Sequence, residues 1–241
     1  MPKNLHIATL TAGLLALFLA APAGAYSVNK SITIGAGSEA SGASTVNGSI
    51  SVGSGATVTG DLETVNGAIR IDADAVVESV ETVNGSIKVG SGVNTEDIEG
   101  VNGTIRIDEN VTVVGEVSVV NGKIAVDAGS TISQDLSNVN GEISITGAEI
   151  GGDLSTVNGD VSLADGANLR GNLKIEKPGG FNWGRGNSRK PRITIGPGCQ
   201  VGGEIIVERE VELYISETAE VGGVSGVMSM DQAIRFSGKR P

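Results

Sequence analysis

Histidine, cysteine, aromatic residues and positive charge are all scarce in this chain, and each scarcity closes off a class of function. Of its 241 residues one is His, one is Cys, one is Trp, two are Tyr and three are Phe. The lone His6 falls in an N-terminal stretch with the character of an export signal, so the remainder has no imidazole for acid–base catalysis or metal ligation. The lone Cys199 allows neither an internal disulfide nor a cysteine zinc cluster. No aromatic residue lies between Val28 and Gly180, which leaves that stretch without platforms for stacked bases or the girdles of an outer-membrane barrel. Lys and Arg number 17 against 28 Asp and Glu, a net charge of −11. Such a surface repels phosphate backbones, so nucleic acid is not an expected partner.

What the chain has in abundance is glycine, 37 residues, and periodicity. Val-Asn-Gly begins at Val46, Val65, Val83, Val101, Val120, Val139 and Val157, at intervals of 18 or 19 residues. A degenerate copy, Val28-Asn29-Lys30, stands 18 residues before the first. Aliphatic residues recur two and four places after the Gly, as Ile50 and Val52, Ile69 and Ile71, and so on to Val161 and Leu163. Asn-Gly also signals a two-residue β-hairpin. A hairpin, however, would set Val120 opposite Lys123 and Val157 opposite Asp160, mixing apolar with polar across the pair. Stacked coils instead lay like upon like, about 4.8 Å apart. Further copies run through Leu169, Leu173, Ile193, Ile205 and Val211 to Val221. The spacing therefore predicts an all-β chain: a single-stranded parallel β-helix of about ten coils, each of 18–20 residues, roughly triangular in section.

Three segments follow from this frame. Lys3, the apolar run from Ala12 to Ala21 and the small residues Ala23-Gly24-Ala25 predict a cleavable signal over residues 1–25, hence export to the periplasm, the extracellular space or the cell surface. Its removal takes away one cation, Lys3, and no acid, moving the charge from −11 to −12, and leaves no integral membrane span. The solenoid is expected over 26–225, interrupted by a loop at 177–192, with 226–241 as a C-terminal tail or cap.

Stacking turns each sequence position into a column. Asn29, Asn47, Asn66, Asn84, Asn102, Asn121, Asn140 and Asn158, if turned inward, can form a ladder of amides, with the following Gly at a corner needing positive φ. Asp61, Asp97, Glu116, Asp135 and Asp153 form an acidic file that could hold a divalent cation, although the glycine-rich calcium repeat of β-rolls is absent. Asp72, Asp108 and Asp127 form another file, and Arg70, Lys88 and Arg106 a basic one. The interrupting loop carries Phe181, Trp183, Arg185, Arg189, Lys190 and Arg192, a basic and aromatic projection that reads as a binding loop. No catalytic residue, metal centre or cofactor is expected, and the open coil ends suggest self-association.

Repeated Thr-Val-Asn-Gly-x-Ile, at Thr64 to Ile69 and Thr82 to Ile87, resembles the adhesin-type solenoid domain of exported bacterial proteins. The run Ile193 to Ile205 is similar to bactofilins, the polymer-forming cytoskeletal β-helices. The first resemblance implies a non-catalytic role in adhesion or as an envelope scaffold, with a cell-envelope or glycan partner. The second implies end-to-end assembly, and a polysaccharide-binding or cleaving β-helix is the third reading.

Overall fold

Within each repeat, apolar residues alternate with polar ones over three to five positions and then break at Gly, Asp or Asn, so each coil makes short strands separated by corners. The computed structural model describes residues 24–178, 189–239 and 241. The expected signal segment and the loop residues Phe181, Trp183 and Arg185 lie outside the described residues, apart from Gly24 and Ala25.

The strands stack into three faces, and every pairing is parallel. Face 1 contains Ala43–Asn47, Leu62–Asn66, Val80–Asn84, Ile98–Asn102, Val117–Asn121, Leu136–Asn140 and Leu154–Asn158. Face 2 is an eleven-stranded sheet running from Ile32–Ile34 through Ile105–Ile107 to Ile234–Phe236. Face 3 is made of shorter strands such as Thr57–Val58 and Thr131–Ile132. The long strand Gln200–Val207 spans the corner between faces 3 and 1 and joins them into one sheet. Register is like on like: Ile87 lies between Ile69 and Ile105, and Asn102 between Asn84 and Asn121. The parallel β-solenoid expected from the repeat is thus the fold observed. It has one rung more than ten because Ile234–Phe236, in the tail, pairs onto Glu212–Ser216. Eleven rungs at about 4.8 Å make a prism about 50 Å long.

The core is a bundle of aliphatic columns. Leu62, Val80, Ile98, Val117, Leu136 and Leu154 fill it from face 1, Ile50 to Ile193 and Val52 to Ile195 from face 2, and Val58, Val113, Ile132 and Ile150 from face 3. A column of small residues, Ala56, Ala75, Val93, Val111, Ser130, Ala148, Ala167 and Cys199, closes the corner between faces 2 and 3. Cys199 is therefore a core filler, and burial pushes its thiol up from the ordinary range. That same corner demands left-handed backbone. Gly37, Gly55, Gly92 and Gly129 supply it, and where glycine is lacking Asp74 and Asn110 take its place with φ of 60° and 59°.

The Asn-Gly corner obeys a different rule. Of its glycines only Gly103 and Gly141 have positive φ. The requirement there is space: a Cβ on Gly67 would meet the Gly48 carbonyl oxygen at 1.9 Å, and one on Gly122 would meet that of Gly103 at 1.6 Å. Glycine packs on glycine because successive corners press backbone against backbone.

Candidate functional site

The asparagines make a continuous ladder, but on the outside of the prism. Each Nδ2 donates to the Oδ1 of the preceding coil, from Asn47 to Asn29 at 2.9 Å through to Asn158 to Asn140 at 2.9 Å. Asn47, Asn66, Asn84, Asn102 and Asn121 are exposed, so the ladder forms without the inward turn on which the sequence had made it conditional. In the coils that carry threonine two places earlier, the inner side is already filled. Thr64 and Thr82 turn inward and donate to the carbonyls of Gly48 and Gly67, at 2.9 and 3.2 Å, and this fills the corner's inner side. In the Leu136–Asn140 strand Asn138 replaces Thr, donates to Gly122 and accepts from Thr156, so the buried polar set stays satisfied. The valine of Val-Asn-Gly is consequently half-buried on the outer surface.

Because every amide points the same way, the ladder has a spare acceptor at its C-terminal end. Arg209 fills that need, donating to Asn158 Oδ1 at 2.6 Å and to the Val157 carbonyl at 3.2 Å. Nothing in the repeat marks Arg209, which lies 51 residues from Asn158.

The proposed cation file has a backbone occupation. Asp97 Oδ1 accepts from the Glu116 N–H at 2.7 Å, Asp135 Oδ1 from Asp153 N–H at 2.8 Å, and Asp153 Oδ1 from Asn172 N–H at 2.8 Å. Burial works against the Asp153 carboxylate, yet hydrogen bonds from Lys174 and Asn172 hold it below the usual range. The glycines beside this file leave room for it: a Cβ on Gly115 would stand 1.8 Å from Asp97 Oδ1. Asp61 heads the file without a bond of this kind, and Ser79 takes the place between Asp61 and Asp97.

On face 2 the acidic and basic files neutralise each other. Arg70 pairs with Asp72 at 2.9 Å, Lys88 with Asp108 at 3.3 Å, and Arg106 bridges Asp108 and Asp127. The base of the inserted loop is stapled likewise. Arg189 pairs with Asp160, Lys190 with Glu210 at 2.8 Å, and Arg192 with Glu212 at 3.2 Å while stacking over Tyr214. The Lys190–Glu210 contact lifts the lysine and lowers the glutamate. Three of the candidate loop residues are thus engaged with the rod.

A column of acids missed by the sequence reading lies between these features. Glu63, Glu81 and Glu99 stand in register on the outer side of face 1, each three residues before a repeat Asn. Burial, then Glu99, Glu63, Asp61 and Asp97, push Glu81 up to about 7; burial, then Glu116 and Asp97, push Glu99 up to about 7. Glu63 is raised by burial and by Asp61. Its signal, Glu-x-Val-Asn in three successive coils, was readable as Glu63-Thr-Val-Asn66, Glu81-Thr-Val-Asn84 and Glu99-Gly-Val-Asn102.

Among the described residues no helix is long and apolar enough to cross a membrane, and no group of three or more His, Cys, Asp or Glu side chains converges on a metal position. No family model, curated protein or solved structure matches the chain.

Proposed function

We propose that the protein is an exported, non-catalytic β-solenoid that acts in surface adhesion or as a structural scaffold of the cell envelope. The observation that carries the reading is the use of its polar side chains. Asparagines bond asparagines, threonines bond corner carbonyls, aspartates bond backbone N–H groups, and face 2 charges pair with one another. A rod whose polar columns are spent on joining coil to coil suits holding a shape and presenting a surface. Cell fractionation with protease accessibility on intact cells tests this: the reading requires the chain outside the cytoplasm, and recovery in the cytosol refutes it.

A second reading, end-to-end assembly in the manner of bactofilins but outside the cytoplasm, draws support from the first rung. There Ile32 and Ala40 pack on the core while remaining only partly buried, and Tyr26 and Val28 are exposed. Filaments in negative-stain images favour it, and a monomer at high concentration by light scattering refutes it. Polysaccharide binding or cleavage is the third reading, and reducing-sugar release from a polysaccharide panel would be its evidence.

A further inference from the structure

We infer that the outer side of face 1 carries a site for a divalent cation of the calcium class, held by Glu81, Glu99 and the hydroxyl of Ser118. Three observations converge. The first is the lack of a countercharge: no Lys or Arg is paired with Glu63, Glu81 or Glu99 among the described residues, whereas ten ion pairs occur elsewhere on the rod. Carboxylates in register along one column repel, and here they are also partly desolvated.

The second observation is independent of charge. Ser118 is the next rung of the same column, in register with Glu99, and only 5% of it is exposed. Its Oγ is buried without a hydrogen-bond partner, the one such side-chain atom among the described residues. At the opposite end of the column the equivalent Ser44 does reach a glutamate, donating to Glu63 Oε2 at 3.4 Å. Buried hydroxyls are rarely left unbonded, and this Oγ, one rung beyond Glu99, is free to serve as a ligand. A cation accepts the hydroxyl's lone pair directly.

The third is dimensional. Glu81, Glu99 and Ser118 occupy three successive rungs about 4.8 Å apart, so an ion held at the level of Glu99 lies one rung from each of the other two, a span that side chains leaning along the column close to the roughly 2.3–2.6 Å that calcium takes. Magnesium demands near-octahedral geometry at about 2.0–2.1 Å and gives up its waters reluctantly, so an open column of a few protein oxygens suits it less. The oxygens are hard donors, and the open face leaves room for water in the remaining positions, as calcium's flexible coordination permits. The carboxylates do not form a closed cage beforehand, so binding draws Glu81 and Glu99 together. The acidic file first picked out by spacing is spent on backbone N–H groups, and the column beside it is the one left for an ion.

Calorimetric titration of the full chain with calcium chloride tests the inference, with sodium chloride at matched ionic strength as reference. Expected is saturable binding in the range of weak extracellular calcium modules, about 10⁻⁴ to 10⁻³ M. The double variant Glu81→Gln with Glu99→Gln should weaken it at least about tenfold, the ratio that about one pKa unit of lost pairing energy in total gives, and Ser118→Ala should weaken it less. The control Asp127→Asn with Glu142→Gln removes two paired face 2 acids and should leave binding unchanged. Carboxyl NMR supplies a second readout, in which calcium lowers the midpoints of Glu81 and Glu99 from near 7. Absence of saturable heat up to about 10 mM, equal binding by the glutamine variant, or an effect reproduced by sodium chloride would each overturn the assignment. The outcome does not depend on whether the chain serves adhesion or scaffolding.

Discussion

Replacing Gly122 by Ala separates two accounts of the Asn-Gly corner. If glycine were needed there for positive φ, Gly122→Ala would resemble Gly55→Ala, where φ is 66° and a Cβ would meet nothing within 4 Å. That second change costs about 1–2 kcal/mol, the penalty of holding an L-residue in the left-handed region. At Gly122 the new Cβ would stand 1.6 Å from the Gly103 carbonyl oxygen. Ordinary contact is about 3.5 Å, so the coils must part by about 2 Å, and no side-chain torsion can relieve a Cβ clash. Three hydrogen bonds hold these coils together at the corner: Gly103 N–H to Asn121 O at 3.0 Å, Ile105 N–H to Lys123 O at 2.9 Å, and Asn121 Nδ2 to Asn102 Oδ1 at 3.1 Å. At about 1 kcal/mol each their loss costs about 3 kcal/mol, before any loosening of the aliphatic columns beneath. Urea unfolding followed by far-ultraviolet circular dichroism compares the variants. Hydrogen exchange localises the damage, since solenoid stability is carried by neighbouring rungs and can fail locally. A Gly122→Ala protein as stable as Gly55→Ala would refute close backbone stacking as the reason for glycine.

Other outcomes follow from the same geometry. Glu81 and Glu99 have folded-state pKa values near 7, above the ordinary 4.5, so the folded chain holds more protons than the unfolded one between these limits. Their contribution to stability is greatest below about pH 4.5 and is lost as pH rises through 7; melting temperature should fall between pH 5 and 8 in calcium-free buffer, and the double Gln variant should flatten that slope. Arg209→Ala leaves Asn158 Oδ1 without its charged donor and should cost about 1–2 kcal/mol, read as faster exchange confined to the coils around Asn158. Cys199, fully buried with a raised thiol pKa, should resist Ellman's reagent in native buffer and react only on unfolding.

The fold was legible because a solenoid writes its geometry into the interval between identical residues. Ile69, Ile87 and Ile105 lie over one another in the structure as they do in an alignment of the repeats. Which side of the wall a column faces was less legible. Val65 and Thr64 are neighbours, and hydropathy alone puts the valine inside; the structure buries Thr64, because its hydroxyl can satisfy a corner carbonyl that valine would leave bare. Once threonine faces inward, alternation turns the valine out; the asparagine, which alternation would return to the threonine's side, departs from the alternation at the corner and lies on the surface. Arg209 was beyond reach of the repeat because it belongs to a coil that has lost Val-Asn-Gly and meets the ladder only in space.

Charge placement along the rod argues that the glutamate column is a local choice rather than a by-product of an acidic composition. Stacking puts like beside like everywhere, so any acid repeated in the sequence becomes a repelling file. The chain resolves this problem on face 2 by setting Arg70, Lys88 and Arg106 against Asp72, Asp108 and Asp127, and near Asp153 by placing Lys174 within reach. It resolves it in the aspartate file by turning Oδ1 onto backbone N–H groups. Neither remedy is used at Glu63, Glu81 and Glu99, although the serines at Ser118, Ser137 and Ser155 show that the same column tolerates a neutral residue on later rungs. Glutamates kept together where serine would fit raise the folding cost of the chain at neutral pH, and a bound cation removes that cost while engaging the one buried hydroxyl left without a partner among the described residues.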